Sequence, residues 1–380
     1  MDTQLKKFTN PKRLLNFIEA TPCRAYFIKA VALLCVLLLF AKIIPVMPGV
    51  IVALCWVLLT ALSAIGFAYF AIVRKTEKQI AKFREGGKLA NFNDGRKICF
   101  IVAFAVSAIF ATSLLLNISK WEPIYWILIA VAIPLYYLVS LKVRHKVEIE
   151  YKPLFRQAGI TKLTFWIVVV LLCGIALLVT LVFPFPVYES TYDALLATEA
   201  PFTNSPSSLI ADMGYFTTAS EIMITYGIPK TLEAAFGSFP FVVVTAGTLL
   251  IYLSIFVGFV SLLNVCYIST FELQRVFIPL LSEQSQAKPS FAHKRTVEKK
   301  YVLWNIGLSL ALMLVFIGAD TYSAHIKGAN GQTPLEAITF KAIDGIAYIV
   351  DGENLSEQMS ERLIDDSKNT LQLFGGDDAS

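Results

Sequence analysis

Seven long apolar runs constrain this chain more than any other feature. A bilayer core of about 30 Å takes about 20 apolar residues at helical rise. The runs are Ala25 to Ile44, Gly49 to Val73, Ile98 to Leu116, Ile124 to Leu141, Leu163 to Phe183, Phe239 to Val265 and Tyr301 to Gly318. Of 380 residues, 56% are apolar and 16% charged, where soluble domains carry about a quarter charged residues. A soluble globular protein is thereby excluded. The pattern predicts an all-α integral membrane protein with seven spans. The first run follows basic residues, as in a signal peptide, but it is too long and meets no small-residue cleavage site before Pro45. It is read as a retained span.

Loop charges orient the spans, because Lys and Arg stay on the cytoplasmic side. The head carries Lys6, Lys7, Lys12, Arg13 and Arg24 against Asp2 and Glu19. The connections after the second, fourth and sixth spans are also basic, with Arg74, Lys75 and Lys78 in one and Lys142, Arg144 and Lys146 in another. Residues 185–238 alternate with these, holding Glu189, Asp193, Glu199, Asp212, Glu221 and Glu233 against Lys230 alone. The N-terminus is expected inside and the C-terminus outside, in a plasma or bacterial inner membrane. The net charge of +5 is too small and too dispersed for a nucleic-acid partner; the lipid bilayer is the expected one.

Enzyme chemistry finds little support. The histidines are His145, His293 and His325, none with another His or a Cys at helical spacing. No phosphate-cradling glycine loop, nucleophile elbow or zinc-protease signature occurs. No cofactor, metal or catalytic residue is expected. Cys23, Cys35, Cys55, Cys99, Cys173 and Cys266 lie in spans or at their cytoplasmic ends and read as packing residues. Trp121, Trp126, Trp166 and Trp304 fall at or near expected helix ends and read as interface anchors. Within the runs only Lys29 and Lys42 are charged, each close enough to an end to snorkel. A proton relay or an arginine-laddered voltage sensor is therefore not indicated.

The outward segment is not loop-like throughout. Ser205-Pro206 reads as a helix start. Leu209, Ile210, Met213, Phe216, Thr217 and Ser220 then recur at three- and four-residue steps, predicting a short helix that ends near Ile222. Met223, Ile224, Thr225, Tyr226 and Gly227 follow as an expected extended strip, and Ile228-Pro229 as a helix breaker.

A span, an acidic outward turret, a half-helix, a strip ending Tyr-Gly and a further span resemble the pore domain of potassium channels, over residues 163–265. In that family an aromatic pair on the pore helix precedes the filter by eight residues. Here Tyr215-Phe216 precedes Thr225-Tyr226-Gly227 by residues 217–224. The family's inner-helix hinge glycine has a counterpart in Gly247, twenty residues after Gly227. The resemblance implies a homo-oligomer, a tetramer, in which Met223 to Gly227 line a cation path. Tyr215 and Phe216 would pack behind the path, Gly247 would let the helix bend, and Asp212 and Glu221 would concentrate cations at the mouth. Such a strip survives at membrane depth only where protein or water surrounds it. The chain departs from the pattern at Met223 for the filter threonine, Thr225 for the first filter glycine and Ile228 for the following acid. Strict potassium selectivity is thus not implied.

An alternative of another class stays open: a non-conducting membrane scaffold or partner-binding subunit. In it the aromatic residues form an interfacial cluster and Gly247 is a close-packing position. A transporter fits less well, for lack of an inverted repeat or an intramembrane carboxylate. The organisation expected is a head (1–24), a four-helix region (25–162), the candidate pore domain (163–265), a linker (266–300), the seventh span (301–319) and an acidic tail (320–380). In the tail, Leu335, Ile338, Ala342, Ile343 and Ile346 predict one amphipathic helix, and Leu355, Met359 and Leu363 a second. The tail is a candidate site for a protein partner.

Overall fold

The computed structural model describes residues 22–82, 96–121, 123–151, 155–182, 190–197, 205–231, 240–268, 291–352 and 354. The helices are α1 (Pro22–Ile43), α2 (Gly49–Lys82), α3 (Arg96–Ile118), α4 (Pro123–Glu150), α5 (Arg156–Val182), α6 (Thr191–Ala197), α7 (Ser208–Ile222), α8 (Pro240–Tyr267), α9 (Phe291–Asn330) and α10 (Pro334–Asp351). Seven of them, α1 to α5 with α8 and α9, are long and apolar enough to cross a membrane. The chain is an all-α integral membrane protein, as the seven runs predict. Most of the head and the linker, and the second tail helix expected at Leu355 to Leu363, lie outside the described residues.

Several helices outrun the apolar stretches that predict them. α4 continues past Leu141 to Glu150 and α5 begins at Arg156 rather than Leu163. Lys, Arg, Glu and Gln are good helix formers, so a helix need not stop where the hydrocarbon does. Trp166 sits nearly three turns inside α5 and is 49% exposed, so it is not at that helix's end. Trp121 and Trp126 do meet beside the start of α4, edge to face at 5.3 Å.

The chain divides into two compact units. The first comprises residues 1–44, 50–176 and 252–318. With lipid as solvent, helices are held by close packing and interhelical hydrogen bonds rather than by burial from water. Tyr26 of α1 donates to the carbonyl of Ile133 at 2.8 Å and stacks on Tyr136, ring centroids 5.9 Å apart. Tyr136 in turn donates to Asn264 Oδ1 at 3.0 Å. Ser113 pairs with Ser254 at 2.7 Å, and the Trp56 indole donates to Thr112 Oγ1 at 2.8 Å. Each such bond contributes about 0.6 kcal/mol on average in a bilayer, so the set acts chiefly by setting which helices are neighbours.

The second unit comprises residues 45–49, 177–251 and 319–380. Among its described residues α6, α7, the turn after α7 and α10 pack on one another. It contains every residue singled out above as a candidate site.

Candidate functional site

Three carboxylates organise the second unit. The first is Asp320, beyond the apolar part of α9. Its Oδ1 accepts from the Ser207 hydroxyl at 2.8 Å and from the Leu209 N–H at 3.0 Å. Its carbonyl accepts from the Ser208 hydroxyl at 2.9 Å. Ser207 also caps α7, accepting from the Ile210 N–H at 3.3 Å. The cap therefore lies two residues beyond the expected Ser205. A carboxylate facing the first turn of a helix is where both the free N–H groups and the helix dipole favour negative charge. Gly49, at the head of α2, leaves room for this carboxylate that a Cβ would fill.

Asp212 is the second. It was expected among the outward acids at the mouth of a cation path, but it is buried, at 2% exposure. The Ser323 hydroxyl donates to its Oδ2 at 2.5 Å, while Oδ1 lies buried without a hydrogen-bond partner. Asp320, Ser323 and Lys327 recur at three- and four-residue steps, which puts them on one face of α9. Lys327 pairs with Glu336 of α10. Glu336 also closes a capping box with Thr333, its N–H donating to the Thr333 hydroxyl at 3.2 Å. Burial pushes the Asp212 carboxyl above its ordinary range, and the nearby Glu336 adds to this, against the Ser323 and Thr333 hydroxyls. Burial acts the same way on Glu336, but the bonds from Lys327 and from the Thr333 backbone outweigh it and hold Glu336 below its ordinary range.

Asp351, the third, ends α10. Its Oδ2 accepts from both the N–H and the hydroxyl of Thr191, at 2.9 and 2.6 Å, capping the start of α6. Its Oδ1 accepts from the Tyr226 hydroxyl at 2.9 Å. Tyr226 is buried, with Lys230 Nζ 4.9 Å from its ring centroid. Burial, and then the Asp351 carboxylate, raise the Tyr226 phenol above its usual range.

The expected extended strip takes a different form. Met223–Gly227 is one π-helical turn, and helix resumes over 228–231. Ile228-Pro229 does not break it. The Met223 carbonyl accepts from the Ile228 N–H and the Gly227 carbonyl from the Thr231 hydroxyl at 2.8 Å. None of these residues has positive φ. Helical closure lets the backbone satisfy its own carbonyls and spares the β-branched Thr225 a left-handed conformation.

The other singled-out residues divide by face. Tyr215 packs with Ala219, Ile343, Ala347 and Phe340 in the unit's core, whereas Phe216 is 49% exposed. Glu221 is half-buried. A Cβ on Gly227 would lie 2.6 Å from Ile346 Cγ2, and one on Gly247 2.6 Å from Ile224 Cγ2. α8 continues as helix through Gly247. In this arrangement the two glycines admit isoleucines, and Met223 to Gly227 help hold α10.

Sequence reasoning missed Asp320, Asp351 and the Thr333–Glu336 box. The box is readable as Thr333-Pro334-Leu335-Glu336. The two aspartates carry no local signal, since their partners are more than 100 positions away. Among the described residues no three His, Cys, Asp or Glu side chains converge as a metal set. Compared with protein-family models, curated proteins and solved structures, the chain finds no match.

Proposed function

We propose that the protein is a non-conducting membrane subunit whose second unit receives a helix of a partner protein. The observation that carries this reading is the outer face of α10. Ile338, Tyr348 and Ile349 are 65, 62 and 66% exposed. Lys341, Ala342 and Gly345 are also exposed and share their three- and four-residue spacing. The opposite face of α10 buries Thr339, Ile343 and Ala347 against its own unit. Small residues between large apolar ones admit a second helix at close range, and Lys341 beside them suits a partner carrying an acid there. On the positive-inside reading of the loop charges this face lies outside the cell and the amino terminus inside, and the reading takes the membrane to be a plasma or bacterial inner membrane.

Conduction is the weaker reading. A cation path along Met223 to Gly227 requires this helical turn to become an extended strip inside a homo-oligomer. That change gives up the Tyr226–Asp351 bond and the seat of Ile346 against Gly227.

The test is a photo-crosslinking residue in place of Tyr348 in the full-length protein in its native membrane. The expected result is one crosslinked protein other than a second copy, lost with Ile338→Glu and Ile349→Glu while helix content is unchanged. Purified protein in a planar bilayer should give no current. Crosslinks to a second copy or to lipid alone, or a conductance abolished by Tyr226→Ala, would overturn the proposal.

A further inference from the structure

A cavity of about 340 Å³ opens in the first unit, far along the chain from the carboxylates just described. Its walls come from the late turns of α2, the end of α4 and the first turns of α5. Phe67, Phe70, Phe155 and Ala158 make the apolar part, and Arg74, Lys162 and Glu77 bring charge to it. Phe70 and Phe67 pack edge to face on Phe165, at 5.7 and 6.2 Å, which holds the aromatic wall in place. Tyr151 lies so close to α5 that a Cβ on Gly159 would be 2.9 Å from its ring, and Arg156 Nε donates to the Tyr151 carbonyl at 3.2 Å. The wall is thus built before any ligand arrives.

Arg74 and Lys162 are exposed. Neither takes part in an ion pair or hydrogen bond with a described residue. Two cations with no ion-pair partner among the described residues, above a pocket faced with phenylalanine, suit a molecule that is anionic at one end and apolar at the other. The loops joined to these helices are the basic ones, so this end of the unit faces the leaflet where anionic lipids gather. A pocket of this size holds a headgroup with the start of its acyl chains.

We infer that this cavity binds one anionic phospholipid, its phosphate between Arg74 and Lys162 and its chains along Phe67, Phe70 and Phe155. Glu77 opposes the phosphate and limits the affinity. A lipid bound here ties α2 to α5 and the end of α4, so it also stabilises the packing of those helices.

The test is native mass spectrometry of the full-length protein after exchange into vesicles of phosphatidylglycerol, phosphatidylcholine or an equal mixture. One phosphatidylglycerol is expected to be retained in preference to phosphatidylcholine. The double variant Arg74→Ala with Lys162→Ala should lose about thirtyfold in relative retention, from two charges near a membrane surface. Glu77→Gln should retain more than the wild type. Lys142→Ala, a cation that does not line the cavity, should change nothing. Equal retention of the two lipids, or a double variant that keeps its lipid, would overturn the assignment. So would inorganic phosphate displacing the lipid at millimolar concentration, which would make the site one for a free anion. Circular dichroism of each variant separates lost binding from lost fold.

Discussion

Replacing Asp320 with alanine tests the anchoring of α7 directly. The substitution deletes the acceptor for the Ser207 hydroxyl at 2.8 Å and for the Leu209 N–H at 3.0 Å, but leaves the Ser208 bond to the backbone carbonyl. Hydrogen bonds to a charged group contribute about 1.5–3 kcal/mol each. Asp320 is half-buried, and water partly replaces what is lost, so the lower end applies and the pair comes to about 3 kcal/mol. At 1.4 kcal/mol per factor of ten, opening of the first turns of α7 becomes about a hundredfold more frequent. Hydrogen exchange with mass spectrometry on the detergent-purified protein reads this on the amides that follow Ser208. Local opening is the right quantity, because a membrane protein of two units need not unfold in one step. Asp320→Asn keeps an acceptor and loses only the charge; a loss of about 1 kcal/mol, or roughly fivefold in exchange, is expected. Exchange in Asp320→Ala within threefold of wild type would refute the claim that this carboxylate holds the helix.

Asp212→Asn should make the second unit more stable at neutral pH. A carboxyl whose folded value is raised stabilises at low pH and loses that contribution as pH climbs from its unfolded value, about 3.9, through its folded one. Glu336, held low, has the opposite sign: its contribution is present above its unfolded value and fades as pH falls through its folded one. Melting profiles across pH should therefore lose, in Asp212→Asn, the fall in stability that sets in as pH rises above about 3.9, and keep the fall that Glu336 causes as pH is lowered; an unchanged fall on the rising side would contradict the assignment. Gly247→Ala should destabilise by about 1–3 kcal/mol through overpacking against Ile224, and adding Ile224→Ala should restore most of it in thermal melts. A hinge role predicts no such rescue. Tyr226→Phe should cost about 1 kcal/mol, because Asp351 keeps both Thr191 bonds, seen as roughly fivefold faster exchange at the end of α10.

The seven spans and their helical nature were legible in the sequence because lipid imposes a rule that needs no partner: an apolar run of sufficient length must close its own backbone bonds. The short helix ending at Ile222 was legible for a similar reason, its spacing being a local property. What Met223 to Gly227 would do was not. A Tyr-Gly pair after a half-helix has the same spelling whether its carbonyls face an ion or close a helical turn. The choice falls to the contacts around it, here Asp351 on the Tyr226 hydroxyl and Ile346 against Gly227. Asp212 shows the same divide. Its charge and its outward segment suggest water, yet the face of α9 carrying Ser323 and the capping box of α10 bury it. A carboxylate's partners more than 100 residues away leave no trace in local pattern, so periodicity determined which segments are helices and tertiary packing decided which of their polar groups are structural.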